Sequence, residues 1–239
     1  MQLTNKVAIV TGASAGLGAQ CARDLAAEGA RVFGLARRKD RLDALAAEIG
    51  PAFTGIACDM TQEMAVQSAI EQVLETSGRI DILVNNAGLG KFGPADTVSL
   101  EEWNLQMDVN LKGVFLATRA VLPTMKRQNA ESGFGGHVVN IASVAGLMGN
   151  PNISTYNATK FGLRGYSDAL FKEVREDGIK VSCFYPGSIQ TEFFDKAGIP
   201  ISANPMMPED ISATLVHVLK APENYLISEI VMRPLRPRG

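Results

Sequence analysis

Tyr156 and Lys160 stand four residues apart in a stretch, residues 152–177, whose pattern predicts a helix. Side chains at i and i+4 share one helix face, so the phenol and the ammonium can point into one cleft. Thirteen residues before Tyr156, Ser143 follows an apolar run, residues 136–142, that predicts a buried strand. A phenol has an ordinary pKa of about 10 and is a poor acid or base near neutrality. A neighbouring cation favours the phenolate and lowers that pKa. A hydroxyl such as Ser143 could hydrogen-bond a substrate oxygen. The set suits proton transfer to or from an alcohol or carbonyl oxygen. A Tyr and a Lys at this spacing also describe an ordinary half-buried pair, so the surrounding elements have to decide.

Residues 6–11 are a Val- and Ile-rich run that predicts a buried strand, closed by Gly12. The turn G-x-x-x-G-x-G, with glycines at 12, 16 and 18, leads into a helical pattern ending at Gly29, and residues 31–36 predict a second strand. This is a β-α-β unit with glycines at its first turn. Such a turn lets backbone N–H groups and a helix N-terminus face a pyrophosphate. The spacing differs from the standard G-x-G-x-x-G fingerprint. At the end of the second strand a carboxylate would hydrogen-bond the ribose 2′-hydroxyl of NAD, and an Arg would accept the 2′-phosphate of NADP. This chain has Arg37, Arg38 and Lys39 there, and no carboxylate. The reading is NADP(H) in preference to NAD(H).

A third strand is predicted over residues 53–58. Asp59 follows it, where it could meet an adenine edge or cap the next helix, residues 62–77. A fourth strand over 80–84 runs into Asn85, Asn86, Ala87 and Gly88. In open α/β sheets, ligands bind outside the carboxyl ends of the strands, where the strand order reverses. The glycine turn and Asn86-Ala87-Gly88 would then line one crevice.

Thr11-Gly12-x-x-x-Gly16-x-Gly18, Asn85 to Gly88, Asn110, Ser143, Tyr156-x-x-x-Lys160 and Pro186-Gly187 together resemble the short-chain dehydrogenase/reductase family, in its order and at its intervals. The resemblance covers essentially the whole chain. It implies an α/β fold: one Rossmann-type domain over residues 1–239, with a doubly wound, seven-stranded parallel sheet in the order 3-2-1-4-5-6-7. It implies Asn110, Ser143, Tyr156 and Lys160 as the catalytic set. Asn110 would sit at a helix irregularity whose freed groups hold a water beside Lys160. Lys160 would lower the Tyr156 pKa and bond the nicotinamide ribose. The implied cofactor contacts add Ser14, Leu17, Met60, Ile189 and Thr191 to Gly12, Gly16, Gly18, Arg37, Arg38, Asp59, Asn86, Ala87, Gly88, Tyr156, Lys160, Pro186 and Gly187. No metal is implied.

Residues 99–127 predict a long helical stretch, with Pro123 ending or kinking its last turns. Residues 129–136 read as a polar turn. Residues 188–207 read as the least regular part of the chain, including Phe193, Phe194, Ile199, Pro200, Pro205, Met206 and Met207, and resemble a substrate lid. A helix over 208–220, a strand over 227–232 and a basic, proline-rich tail that frays or touches another subunit complete the chain. Phe92, Leu147, Met148, Phe193 and Phe194 are candidates for an apolar substrate pocket. The expected activity is hydride transfer between NADP(H) and a carbonyl or secondary alcohol, acting on a 3-oxoacyl thioester or small apolar ketone. The alternatives are a polyol, sugar or hydroxy-acid dehydrogenase of the same family, and an NADP-binding sensor without turnover. A serine hydrolase is disfavoured because no G-x-S-x-G elbow surrounds Ser143. Family members are commonly tetramers or dimers, so an oligomer is expected.

The 23 Lys and Arg nearly balance the 25 Asp and Glu, which is no footprint of a nucleic-acid binder. No apolar run approaches the roughly 20 residues that span a bilayer. The run over residues 7–10 is too short for a signal-peptide core. Cys21, Cys58 and Cys183 lack metal-ligand spacing and read as buried, reduced thiols. A cytoplasmic location is the expectation.

Overall fold

A computed structural model describes residues 2–198 and 201–237, without the side chain of Lys196. The lid residues Ile199 and Pro200, and Arg238 and Gly239 of the tail, lie outside the described residues, as does Met1.

Seven strands form one sheet: β1 Val7–Thr11, β2 Arg31–Ala36, β3 Phe53–Ala57, β4 Ile82–Asn85, β5 Gly136–Ile141, β6 Ile179–Pro186 and β7 Glu229–Met232. Their order is β3-β2-β1-β4-β5-β6-β7, and every pairing is parallel. This is the expected doubly wound sheet. Its central strands are continuous apolar runs because helices cover both faces. Strand periodicity still sorts their side chains. Ala8 and Val10 of β1 join the core formed with Cys21 and Leu25 of α1 (Gly16–Ala27), Leu42 of α2 (Lys39–Ile49), and Ile211 and Leu215 of α8 (Pro208–Leu219). Val7 and Ile9 join the opposite core, with Ile70 of α3 (Glu63–Ser77), Val121 of α5 (Gly113–Ser132) and Leu170 of α6 (Ser154–Val174).

Three expectations are corrected. The stretch over 99–127 is not one helix: α4, Leu100–Met107, passes through a π turn, Asp108–Lys112, into α5. Nor does Pro123 end it, for α5 continues to Ser132 and takes in the first half of the expected polar turn. Proline removes one helical hydrogen bond. Packing outweighs that loss: Val121 and Met125 are fully buried. Gln128 accepts from Ile80 N (2.8 Å) and donates to the carbonyls of Ile80 (2.9 Å) and Gly135 (2.8 Å). Second, residues 188–207 are not wholly irregular, since Glu192–Ala197 form helix α7. The excursion is closed at its base by an Ile189–Met206 bridge and by Gln190 N donating to Met206 O at 2.8 Å. Third, the tail does not fray before Pro237. Asn204 Nδ2 donates to Arg236 O (2.9 Å) and Ala203 N to Pro237 O (3.4 Å). The three cysteines are buried and free, as expected. No described helix is long and apolar enough to cross a membrane.

His137 lies buried in β5. Ser182 Oγ gives its only proton to Ile227 O (2.6 Å), so it accepts from His137 Nε2 at 2.8 Å. Burial, helped by the Lys180 charge, pushes the imidazole down to about 3. A depressed pKa means that the unfolded chain takes up the proton first. His137 therefore withdraws stability as pH falls below about 6.5, by about 1–2 kcal/mol between pH 7.5 and 5.5. Urea unfolding over that range should show the loss, and His137→Gln should flatten it.

Candidate active site

The site is built at the carboxyl ends of β1 and β4, where the strand order reverses. Thr11 Oγ1 accepts from the backbone N–H groups of Asn86 and Ala87, each at 3.0 Å. Asn86 Nδ2 returns a bond to Thr11 O at 2.9 Å. The glycine turn folds over this clasp. Gly12 has φ +70°, and a Cβ there would lie 2.9 Å from both Ala87 Cα and Asn86 Nδ2. A Cβ on Gly18 would collide with Gly12 O and lie 2.5 Å from Asn86 Nδ2. Backbone thus stays bare along the turn that opens α1, as a pyrophosphate cradle requires.

Tyr156 and Lys160 lie one turn apart on α6, both buried. Ser143 follows β5 and caps a short 3-10 turn, Val144–Gly146; its Oγ accepts from Ala145 N at 3.1 Å. Gly146 lets this turn lie on α6, since a Cβ there would sit 2.7 Å from Lys160 O. Asn157 ties the two segments together. Its Nδ2 donates to Ala145 O (2.6 Å) and Met148 O (2.9 Å), and its Oδ1 accepts from Asn150 N (3.1 Å).

The electrostatics differ from the expectation that Lys160 depresses the phenol. Burial pushes Tyr156 up to about 12, against a hydrogen bond from Ser143 that lowers it. Lys160 Nζ stands 5.6 Å from the Tyr156 ring centroid and donates to Ile141 O at 2.9 Å. Burial pulls Lys160 itself down to about 8. In both groups desolvation is the largest cause.

Asn110 sits in the π turn, the irregularity expected there. Its side chain is already committed: Oδ1 accepts from Leu89 N (2.8 Å), and Nδ2 donates to Leu89 O (2.8 Å) and Thr159 Oγ1 (3.2 Å). It splices the chain after β4 to α6. Any water relay would have to use the widened turn's backbone.

A cleft of about 890 Å³ joins these parts. It is lined by Gly12, Ser14, Gly16, Leu17, Arg37, Arg38, Asp59, Met60, Asn86, Ala87, Gly88, Ser143, Tyr156, Lys160, Pro186, Gly187, Ile189 and Thr191. Gly18 and Asn110, expected with them, act from behind the wall. Arg38 reaches back over the glycine turn, with Nε and Nη2 at 3.2 and 3.0 Å from Ser14 Oγ. Arg37 is exposed on the rim. Asp59 Oδ1 accepts from Thr61 N (2.9 Å) and Thr61 Oγ1 (2.8 Å). Burial alone would raise Asp59; these bonds, with Arg37 and Lys112 nearby, hold it below the usual carboxylate range. The bare glycine turn and the two guanidiniums fit a dinucleotide that carries a 2′-phosphate.

Over Tyr156 the cleft is aromatic. Phe92 and Phe193 lie 5.4 and 5.7 Å from its ring centroid, and Phe194 lies 5.5 Å from Phe193. Leu147 and Met148 do not line it: Leu147 packs against the core of Leu163 and Tyr185, and Met148 is exposed.

The sequence profile described as short chain dehydrogenase matches residues 6–199. This chain belongs to the short-chain dehydrogenase family. Within the family it is similar to serine 3-dehydrogenase of Agrobacterium fabrum, 36% identical over 95% of this chain and 93% of that one. A 3-ketoacyl-(acyl-carrier-protein) reductase from Brucella melitensis, complexed with NADH, superposes with a TM-score of 0.91 at 31% identity, covering 98% of this chain and 99% of that one. A metagenomic short-chain oxidoreductase complexed with NADP gives 0.85 at 36% identity, covering 98% and 99%.

Sequence reasoning missed Asn157, Gly146 and Glu192, which meets Arg38 from α7. The available signal for the first was an Asn next to Tyr156 inside a predicted helix, where an amide seeks partners beyond the helix backbone. Asn157→Ala leaves the Ala145 and Met148 carbonyls unpaired. It should cost about 1–3 kcal/mol in denaturant unfolding and lower kcat, with dinucleotide affinity unchanged.

Proposed function

We propose that this chain is an NADPH-dependent reductase of carbonyl groups, acting on a 3-oxoacyl thioester or a small apolar ketone. The observation that carries the reading is the convergence of Tyr156, Ser143 and Lys160 beneath an aromatic cover, at the end of a glycine-lined cleft rimmed by Arg37 and Arg38. A nicotinamide cofactor held in that cleft supplies the hydride. Gly12, Ser14, Gly16, Leu17, Arg37, Arg38, Asp59, Met60, Asn86, Ala87, Gly88, Tyr156, Lys160, Pro186, Gly187, Ile189 and Thr191 would hold it, with Gly18 supporting the turn.

The chain's own part is position and a proton. A phenol pushed up to about 12 stays protonated at neutral pH, which suits an acid delivering its proton to a carbonyl oxygen. Ser143, whose Oγ accepts from Ala145 N and whose hydroxyl bonds Tyr156, would turn its O–H to the same substrate oxygen once that oxygen is in place. Lys160, buried behind the phenol, holds the next proton. The π turn at Asn110 would pass a replacement inward through water. The three free thiols support a cytoplasmic location, and residues 1–239 would work as one domain.

The serine 3-dehydrogenase relative favours a second reading, oxidation of a small hydroxy acid. The lining by Phe92, Val144, Ile153, Phe193 and Phe194 weighs toward the apolar carbonyl. Loss of NADPH absorbance across a carbonyl panel tests the choice, with NADH and an NADP⁺-plus-serine arm beside it. Turnover of the thioester or ketone upholds the first reading, and turnover of serine alone replaces it. Tyr156→Phe should keep dinucleotide binding and lower turnover by about 10²–10⁴-fold. A silent wild type that still binds NADPH would favour a sensor.

We also propose that two copies pair through α4, α5 and α6. Trp103, Phe115 and Phe161 on these helices are 39%, 43% and 43% exposed, apolar surface that a second copy would cover. Light scattering at micromolar concentration should give an oligomer, and Phe115→Asp with Phe161→Asp should lower its mass.

A further inference from the structure

Glu192 opens helix α7, and its carboxylate lies between two arginines of the cofactor end of the cleft. Oε1 accepts from Arg41 Nη1 at 2.6 Å, and Oε2 meets Arg38 Nη1 at 3.4 Å. Arg38 turns its other edge to Ser14, on the glycine turn. Thr191, next to Glu192, closes on the same turn: a Cβ built on Gly16 would lie 3.1 Å from its methyl. Phe193, the following residue, packs on Tyr156 at the other end of the cleft. Consecutive residues of one short segment therefore touch the glycine turn, the arginines and the phenol.

We infer that Glu192 is a specificity-determining residue that competes with a cofactor 2′-phosphate for Arg38. The inference rests on the NADPH reading above. A 2′-phosphate and a carboxylate are both acceptors that suit a guanidinium edge. With Ser14 holding one edge of Arg38, the edge facing Glu192 is the one a phosphate must win. Arg41 keeps the carboxylate near and negative when it is displaced. The pair thus sets a cost on every 2′-phosphorylated ligand and none on its 2′-hydroxyl counterpart. Displacement also removes one tether of α7, which carries Phe193 over Tyr156.

The test uses 2′,5′-ADP and 5′-AMP, which differ only in the 2′-phosphate, titrated calorimetrically into the full chain. Glu192→Gln should tighten 2′,5′-ADP by about two- to fivefold, the worth of an exposed ion pair, and leave 5′-AMP unchanged. Asp195→Asn removes a charge one turn further along the same helix and should change neither. Wild type that prefers 2′,5′-ADP, with Glu192→Gln no tighter, overturns the inference and leaves the NADPH reading standing. Wild type without preference removes that reading; preference gained in Glu192→Gln would still uphold the competition, and none gained would overturn both. Equal tightening in Asp195→Asn would show a general charge effect and overturn the assignment to Glu192.

Discussion

The clasp between Thr11 and Asn86 is the constraint on which the rest of the site depends. Where the strand order reverses, β1 and β4 are neighbours whose following segments leave in opposite directions, which opens a crevice. Backbone groups at the ends of both strands lose their ladder partners there, and buried donors without partners are costly. The Thr11 hydroxyl takes two of those N–H groups, and the Asn86 amide takes the Thr11 carbonyl. The amide then fills the space beneath the glycine turn. Gly12 and Gly18 are therefore demanded by the chain's own packing before any ligand arrives. A bare cradle for a pyrophosphate follows from that packing. The two explanations of the glycines are one.

Much of this was legible in the residues. Short apolar runs, the first of them rich in Val and Ile and closed by Gly12, marked the strands, because a parallel sheet covered on both faces selects such runs. The i, i+4 spacing placed Tyr156 and Lys160 on one face of α6. The sheet order and the role of Asn110 came only through the family resemblance, since no local pattern encodes which strands pair. Pro123 misled because its lost hydrogen bond is local, whereas the Gln128 and Met125 contacts that keep α5 intact come from β4, β5 and the turn before them. Helix α7 was hidden for a similar reason. Six residues with two adjacent phenylalanines carry no helical period, and the segment is fixed by Thr191 capping and by partners far along the chain.

The sign of the Tyr156 shift was also out of reach. Spacing alone puts an ammonium near a phenol and argues for a lowered pKa. Burial is a three-dimensional quantity, and it acts on both groups. Phe92 and Phe193 remove water from one side of the phenol, and α6 and the Ser143 turn close the other. Lys160 spends a hydrogen bond on Ile141 O instead of on the phenol. The outcome is a protonated Tyr156 beside a lysine whose own proton is loosened, an arrangement suited to the proposed acid.

The same exclusion of water bears on what the site can accept. A substrate whose oxygen comes between Ser143 and Tyr156 meets the aromatic cover of Phe92 and Phe193. Each Å² of apolar surface uncovered costs about 25 cal/mol, so a substrate that shifts Phe193 has to replace what the ring leaves. An acyl chain or a ketone substituent replaces like with like. A free amino acid would bring two charges against the same rings, and burying a charge without a partner costs far more than apolar contact returns. Wet the pocket enough to welcome those charges, and the phenol is wetted too, its pKa falling back toward the ordinary value of about 10. The raised pKa of Tyr156 and the apolar substrate proposed for the site thus both rest on one dry pocket.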